Sequence, residues 1–137
     1  PRVDVYTRFV GAIGQPWCEA FESWCRAEAG GAQPLGRHAA VAELWATAVR
    51  LGRARAAGTY LPKPGDRAIF GRWVNGRFRD PRLGQEGHVA AVERGPSAIN
   101  GSWTTIDGNH EDREDLRDRV ARVERSDLTG LVGWVVV

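Results

Sequence analysis

Apolar residues set the rhythm of the first half of the chain. Val3, Val5, Phe9, Val10 and Ile13 fall mostly at three- and four-residue steps, which predicts a short amphipathic helix ended by Gly14. A second helix is expected from Gln15-Pro16, because proline is tolerated in a first turn, and it should stop at Gly30-Gly31. Its apolar stripe is Cys18, Phe21 and Cys25, with Glu19, Glu22 and Arg26 on an opposite, polar side. Ala39 to Arg55 repeats the pattern through Val41, Leu44, Trp45, Ala48 and Leu51, with Gly58 closing the segment.

After the turn signal Leu61-Pro62-Lys63-Pro64-Gly65-Asp66 the rhythm changes to short runs separated by Gly, Pro and Asn-Gly. Arg67 to Phe70 reads as a strand, Trp73 to Phe78 as a small hairpin around Asn75-Gly76, and Arg79 to Gln85 as a loop. His88 to Val92 is the clearest strand. Trp103 to Asp107 is another, after an Asn100-Gly101 turn, and Leu131 to Val137 is apolar enough for a buried final strand. Glu111 to Arg125 fits two descriptions: a helix on Leu116, Val120 and Val123, or a short helix followed by a strand. Helices first and antiparallel strands afterwards predict an α+β domain with its helices packed on one face of a mostly antiparallel sheet.

Length and composition narrow the function classes. With 137 residues the expectation is a single domain, and no apolar run approaches the roughly 20 residues of a membrane helix. Nineteen Lys+Arg against 17 Asp+Glu leave +2, with the cations spread among anions, so no nucleic-acid partner is expected. The chain begins at Pro1 and contains no Met, as a mature form or an excised domain would. On a helix, Cys18 and Cys25 are about 10.5 Å apart along the axis, too far for a disulfide.

Two free thiols raise the question of chemistry. Cys18 is expected in the first turn of its helix, where unpaired N–H groups and the helix dipole favour a thiolate, although a buried cysteine is also a common small hydrophobe. Cys25, mid-helix, lacks that advantage. A cysteine nucleophile needs a base, and of His38, His88 and His110 only His88 opens a strand directly after a glycine, which is a rigid mount. The imidazole needs an orienting acceptor, and the run TIDGN offers Asp107 and Asn109. If the strands of Val89 and Ile106 pair antiparallel, Asp107 comes close to His88; the alternative for an aspartate before Gly-Asn is an ordinary turn.

WCEAF at 17–21, LPKPGD at 61–66, GHVAAV at 87–92 and TIDGN at 105–109 occur in this order and together resemble the CHAP family, the cysteine- and histidine-dependent amidohydrolase/peptidase domains of the papain-like NlpC/P60 group. The resemblance implies a papain-like α+β fold over 1–137, with Cys18 as nucleophile, His88 as base, and Asp107 with Asn109 where relatives carry Glu or another polar orienting residue. It implies a peptidoglycan hydrolase that cuts an amide of the stem peptide, as an endopeptidase or an N-acetylmuramoyl-L-alanine amidase, through a thioester and without a cofactor.

Some relatives bind calcium through an acidic loop just before the nucleophile; TRFVGAIGQPW holds no carboxylate, and no Cys/His cluster has zinc spacing, so no metal is expected. In that reading the Cys18 N–H and the Gln15 side chain are candidate oxyanion donors, Gln15 having an N-cap or solvent-facing role as its alternative, and Trp17 walls the cleft. Trp24, Trp45 and Trp134 are expected in the core, while Trp73 and Trp103 are left open. The expected setting is a monomer that is secreted, wall-directed or phage-associated, such as an endolysin. The rival from another class is a non-catalytic wall- or protein-binding module on the same scaffold.

Overall fold

The computed structural model describes residues 18–30, 35, 38, 40–98, 101–111 and 118–137, with the side chains of 19, 20, 109–111, 118 and 119 left aside. The helix expected over Val3 to Ile13, together with Gln15 and Trp17, lies outside the described residues. Those that are described form an α+β fold: helices α1 (Cys18–Glu28) and α2 (Val41–Arg50) against a seven-stranded sheet. The strands are β1 (Ala54–Ala56), β2 (Arg67–Val74), β3 (Arg77–Arg79), β4 (Gly87–Arg94), β5 (Trp103–Glu111), β6 (Asp118–Arg125) and β7 (Leu131–Val135). Their order is β1-β7-β2-β4-β5-β6, with β3 hairpinned onto β2, and every pairing is antiparallel.

Alternation along the central strands divides the core in two. Ile69, Val89, Val132 and Val135 join Cys18, Leu35, Val41, Leu44 and Ala48 from the helical side. Ala68, Phe70, Ala90, Val92, Trp103 and Trp134 form a second cluster, with the two indoles edge to face at 5.1 Å. Fully burying a side chain such as Leu44 contributes about 1.5–3 kcal/mol, so the α2 stripe is a main anchor of that helix. Of the tryptophans, Trp134 and Trp103 are fully buried, Trp24 and Trp45 are half-buried, and Trp73 is 71% exposed.

The structure differs from the sequence expectations at three places and decides a fourth segment that had two descriptions. Helix α2 ends at Arg50 rather than Arg55, because Gly52 at φ +70° lets Gly52 N–H and Arg53 N–H bond back to the carbonyls of Val49 and Ala48. Freed from the helix, Ala54–Ala56 pairs with β7. Within the expected loop after Arg79, Pro81–Leu83 makes a 3-10 turn capped by Asp80, which accepts the Arg82 N–H at 2.9 Å. The ambiguous segment is a strand over Asp118–Arg125 that pairs with β5. Finally, Glu22 is not on a polar face; it is 3% exposed and lies 3.7 Å from the buried Arg67 guanidinium, which supplies its counter-charge from β2.

Two motifs do visible structural work around the site. In LPKPGD, buried Asp66 accepts from the Tyr60 hydroxyl at 2.7 Å and from the Lys63 N–H at 2.9 Å, while Gly65 N–H bonds to Val92 O. This ties the start of β2 to β4. The Asn75-Gly76 hairpin has both residues at positive φ, 51° and 74°, as a type I′ turn requires.

Candidate active site

Three side chains from three elements converge at one end of the sheet. Cys18 stands at the start of α1, His88 is the second residue of β4, and Asp107 lies on β5. The β4/β5 register sets Asp107 opposite Ala90, so it is the diagonal neighbour of His88 on the same face. The aspartate therefore belongs to the ladder rather than to a turn; the β4/β5 register shifts before it, between Val92 and Arg94, and the β5/β6 register beyond it, between Asp107 and His110. Bare glycine Cα atoms permit the approach of the helix: a Cβ on Gly108 would lie 2.6 Å from the Phe21 ring, so glycine lets α1 rest on β5.

Asp107 is fully buried and has partners on both oxygens. His88 Nε2 is 2.7 Å from Oδ2, Arg125 Nη2 donates to the same oxygen at 2.8 Å, and the Thr105 hydroxyl donates to Oδ1 at 2.5 Å. Burial alone would push this carboxyl up, but the hydrogen bond and positive charge of His88, then Arg125 and Thr105, hold it below the usual carboxylate range.

Arg125 also donates from Nε to Thr105 Oγ1 at 3.1 Å, and its guanidinium sits 4.3 Å from the centre of the Phe70 ring. Phe70 in turn lies 6.0 Å from the imidazole, centre to centre. The cation is thus sandwiched between the carboxylate and the apolar floor of the site.

With Nε2 committed to Asp107, the nitrogen left for the thiol is Nδ1, which is buried and makes no well-formed hydrogen bond. Cys18 is 3% exposed. Its burial raises the thiol pKa, yet His88, the backbone N–H of Val89 and the charge of Arg72 together outweigh burial and bring it below the ordinary value. In His88 burial disfavours the charged ring, and Asp107 with the Cys18 sulfur overcomes it, so that its pKa rises to about 9. Cys18 and His88 therefore stand as a close electrostatic couple, in which a proton moved from sulfur to imidazole leaves a stabilised thiolate. Cys25 differs: half-buried and beside Glu22, its thiol is pushed up to about 11.

The structure thus brings together Cys18, His88 and Asp107. Asn109 is on β5 with its side chain outside the described set, and Gln15 and Trp17 are likewise outside it. Arg125, Thr105 and Phe70 were not anticipated from the sequence. The available signal was the alternation Ala121-Val123-Arg125, which aligns an arginine with Trp103 across the ladder and hence with the inward face of β5. Among the described residues no group of three or more His, Cys, Asp or Glu converges as metal ligands, and no helix is long and apolar enough to cross a membrane.

A thiol, an imidazole and a carboxylate linked in this order, on a helix start and two antiparallel strands, define the class of proteins that carry a cysteine–histidine couple. The CHAP domain family profile matches residues 10–109 of the 137, and the chain belongs to that family. No curated protein matches it. CHAP domains are typically amidase or peptidase hydrolases, so membership brings a peptidoglycan-hydrolase type of function and a site of action at the cell wall.

Proposed function

We propose that the protein is a cysteine-dependent peptidoglycan hydrolase that cleaves an amide bond of the wall peptide, either within the stem or at its muramoyl link. The observation that carries this reading is the linkage Cys18–His88–Asp107, with the 2.7 Å contact from His88 Nε2 to a fully buried carboxylate.

In this mechanism the proton of the Cys18 thiol resides on His88, and the thiolate attacks the amide carbonyl to give a tetrahedral oxyanion. The Cys18 backbone N–H at the helix start is the first donor to that oxyanion, and Gln15 is the candidate for the second. The imidazolium then returns its proton to the leaving amine, leaving a thioester. Water, deprotonated by His88, attacks that thioester; the acid departs and the thiol is restored. Asp107 fixes the tautomer and orientation of the ring and stabilises its charged form. Asn109 is a further candidate for holding the imidazole, and Trp17 for walling the cleft. No metal takes part, and the catalytic unit acts as a monomer on a secreted or phage-borne route to the wall.

The test is mass spectrometry of purified peptidoglycan of several stem chemistries, digested by the native protein and by Cys18→Ala. New fragments from the native protein alone support the hydrolase and identify the amide. If neither protein releases fragments and Cys18 alkylates no faster than an ordinary thiol, the non-catalytic binding module replaces this reading.

A further inference from the structure

The arginines on this sheet divide into those with a partner and those without. Arg125 meets Asp107, Arg122 meets Glu93 at 2.7 Å, Arg82 meets Asp80 at 2.7 Å, and Arg67 lies by Glu22. Arg72 and Arg79 have no acidic partner among the described residues, and Arg79 Nε is buried with no hydrogen bond. Yet these two stand directly opposite each other in the β2/β3 ladder. Like charges facing one another across a strand pair are destabilising, so the pair is held at a cost that an anion between them would offset.

Their place in the sheet suggests which anion. Phe70 pairs with His88 and Gly71 with Gly87, so alternation puts Arg72, about 7 Å further along β2, on the face that carries Phe70 and His88. Arg79, opposite Arg72, shares that face. The positive charge of Arg72 is felt at the Cys18 sulfur. Both side chains are only half-buried, which leaves them open to a ligand. A planar guanidinium pair is suited to two-pronged recognition of a carboxylate.

We propose that Arg72 and Arg79 form an anion subsite beside Cys18 that takes a free carboxylate carried next to the scissile amide, which makes acidic stem peptides the preferred substrate class. This rests on the hydrolase reading only for its substrate; the anion subsite itself is testable without turnover.

The test compares two small alkylating probes of Cys18, anionic iodoacetate and neutral iodoacetamide. In each the thiolate forms an S–C bond while iodide leaves with its electron pair, and peptide mass spectrometry separates Cys18 from Cys25. The iodoacetate-to-iodoacetamide rate ratio, normalised to that of the denatured protein, is expected to be raised about two- to fivefold in the native protein, the range of a half-exposed ion pair. Arg72→Gln and Arg79→Gln should each lower it, whereas Arg82→Gln, already committed to Asp80, should not. Using the ratio cancels any change in thiolate population, and thermal melting confirms that each variant is folded.

A ratio that Arg72→Gln and Arg79→Gln leave unchanged overturns the proposal. In a second arm, stem peptides with a free carboxylate are compared with their carboxamides. Equal cleavage of both overturns the subsite while leaving the hydrolase intact; no cleavage of either, with an arginine-dependent probe ratio, retains the subsite and removes the hydrolase reading.

Discussion

Replacing Arg125 by methionine keeps an unbranched apolar stem against Phe70 and removes the guanidinium that touches Asp107 and Thr105. The stability cost follows from the contacts. A hydrogen bond to a charged group contributes ~1.5–3 kcal/mol. Here the arginine side chain is 21% exposed and His88 remains as a second partner of the carboxylate, so the loss is about 2 kcal/mol, toward the low end of that range. For a domain of this size that lowers Tm by about 5–8 °C. The effect on catalysis has a separate signature. Arg125 and His88 share Oδ2 of Asp107, so removing one cation leaves the carboxylate wholly to the imidazolium, and the His88 pKa, already raised to about 9, moves further up.

The alkaline limb of kcat/KM on solubilised peptidoglycan should therefore shift to higher pH in Arg125→Met, while kcat falls about tenfold as the less constrained carboxylate orients the ring poorly. Arg125→Lys, which retains the charge but not the fork, should restore the limb and only part of kcat. A fall in Tm with an unmoved alkaline limb would mean that Arg125 merely packs; an unchanged Tm, limb and kcat would refute the reasoning altogether.

Asp107→Asn should act in the opposite sense: it removes the largest cause raising the His88 pKa, so the alkaline limb moves to lower pH and turnover drops, and a limb still near pH 9 would contradict the assigned coupling. Gly108→Ala places a Cβ 2.6–2.7 Å from Phe21 atoms and should cost about 1–3 kcal/mol by chemical denaturation, with reduced turnover because α1 carries Cys18. Cys25→Ala, at a half-buried position, should cost about 1 kcal/mol and leave turnover intact, whereas a folded variant without activity would transfer the nucleophile's role to Cys25. Treatment with a chelator should leave peptidoglycan release unchanged, and loss restored by calcium would reveal a metal requirement.

How far the chain could be read depended on whether local pattern or tertiary pairing decided each element. His88–Val92 and Trp103–Asp107 carry their own β signal, so the strands that hold the imidazole and carboxylate were legible, as was the Asn75-Gly76 turn. The periodic stripe running through Leu51 points to Gly58 as the stop, whereas backbone capping at Gly52 ends the helix at Arg50. Glu22 reads as a surface residue by type; only the fold brings Arg67 beneath it. Asp118–Arg125 was ambiguous because its charges satisfy both periods, and its strand form is fixed by pairing with β5. Alternation alone could not make Arg125 a site residue: its role depends on facing Trp103, 22 positions earlier, across the β5/β6 ladder.

The geometry around Asp107 explains how a short carboxylate reaches the imidazole. Charge alternates through the site from the imidazole to Asp107 and on to Arg125. Burial raises the Glu22 carboxyl and Arg67 opposes that rise, while Asp107 raises the pKa of the ring. A short carboxylate reaches the imidazole because it is a diagonal neighbour in the β4/β5 ladder, and Thr105 and Arg125 hold its rotamer there. Glutamate at 107 would add a methylene to a fully buried cage already closed by three partners, so it must displace either Arg125 or the ring. On this argument Asp107 and Arg125 are a matched pair. Asp107→Glu alone should lose more turnover than Asp107→Glu combined with Arg125→Met, where the removed guanidinium makes room, and additive losses in that double-mutant cycle would sink the idea.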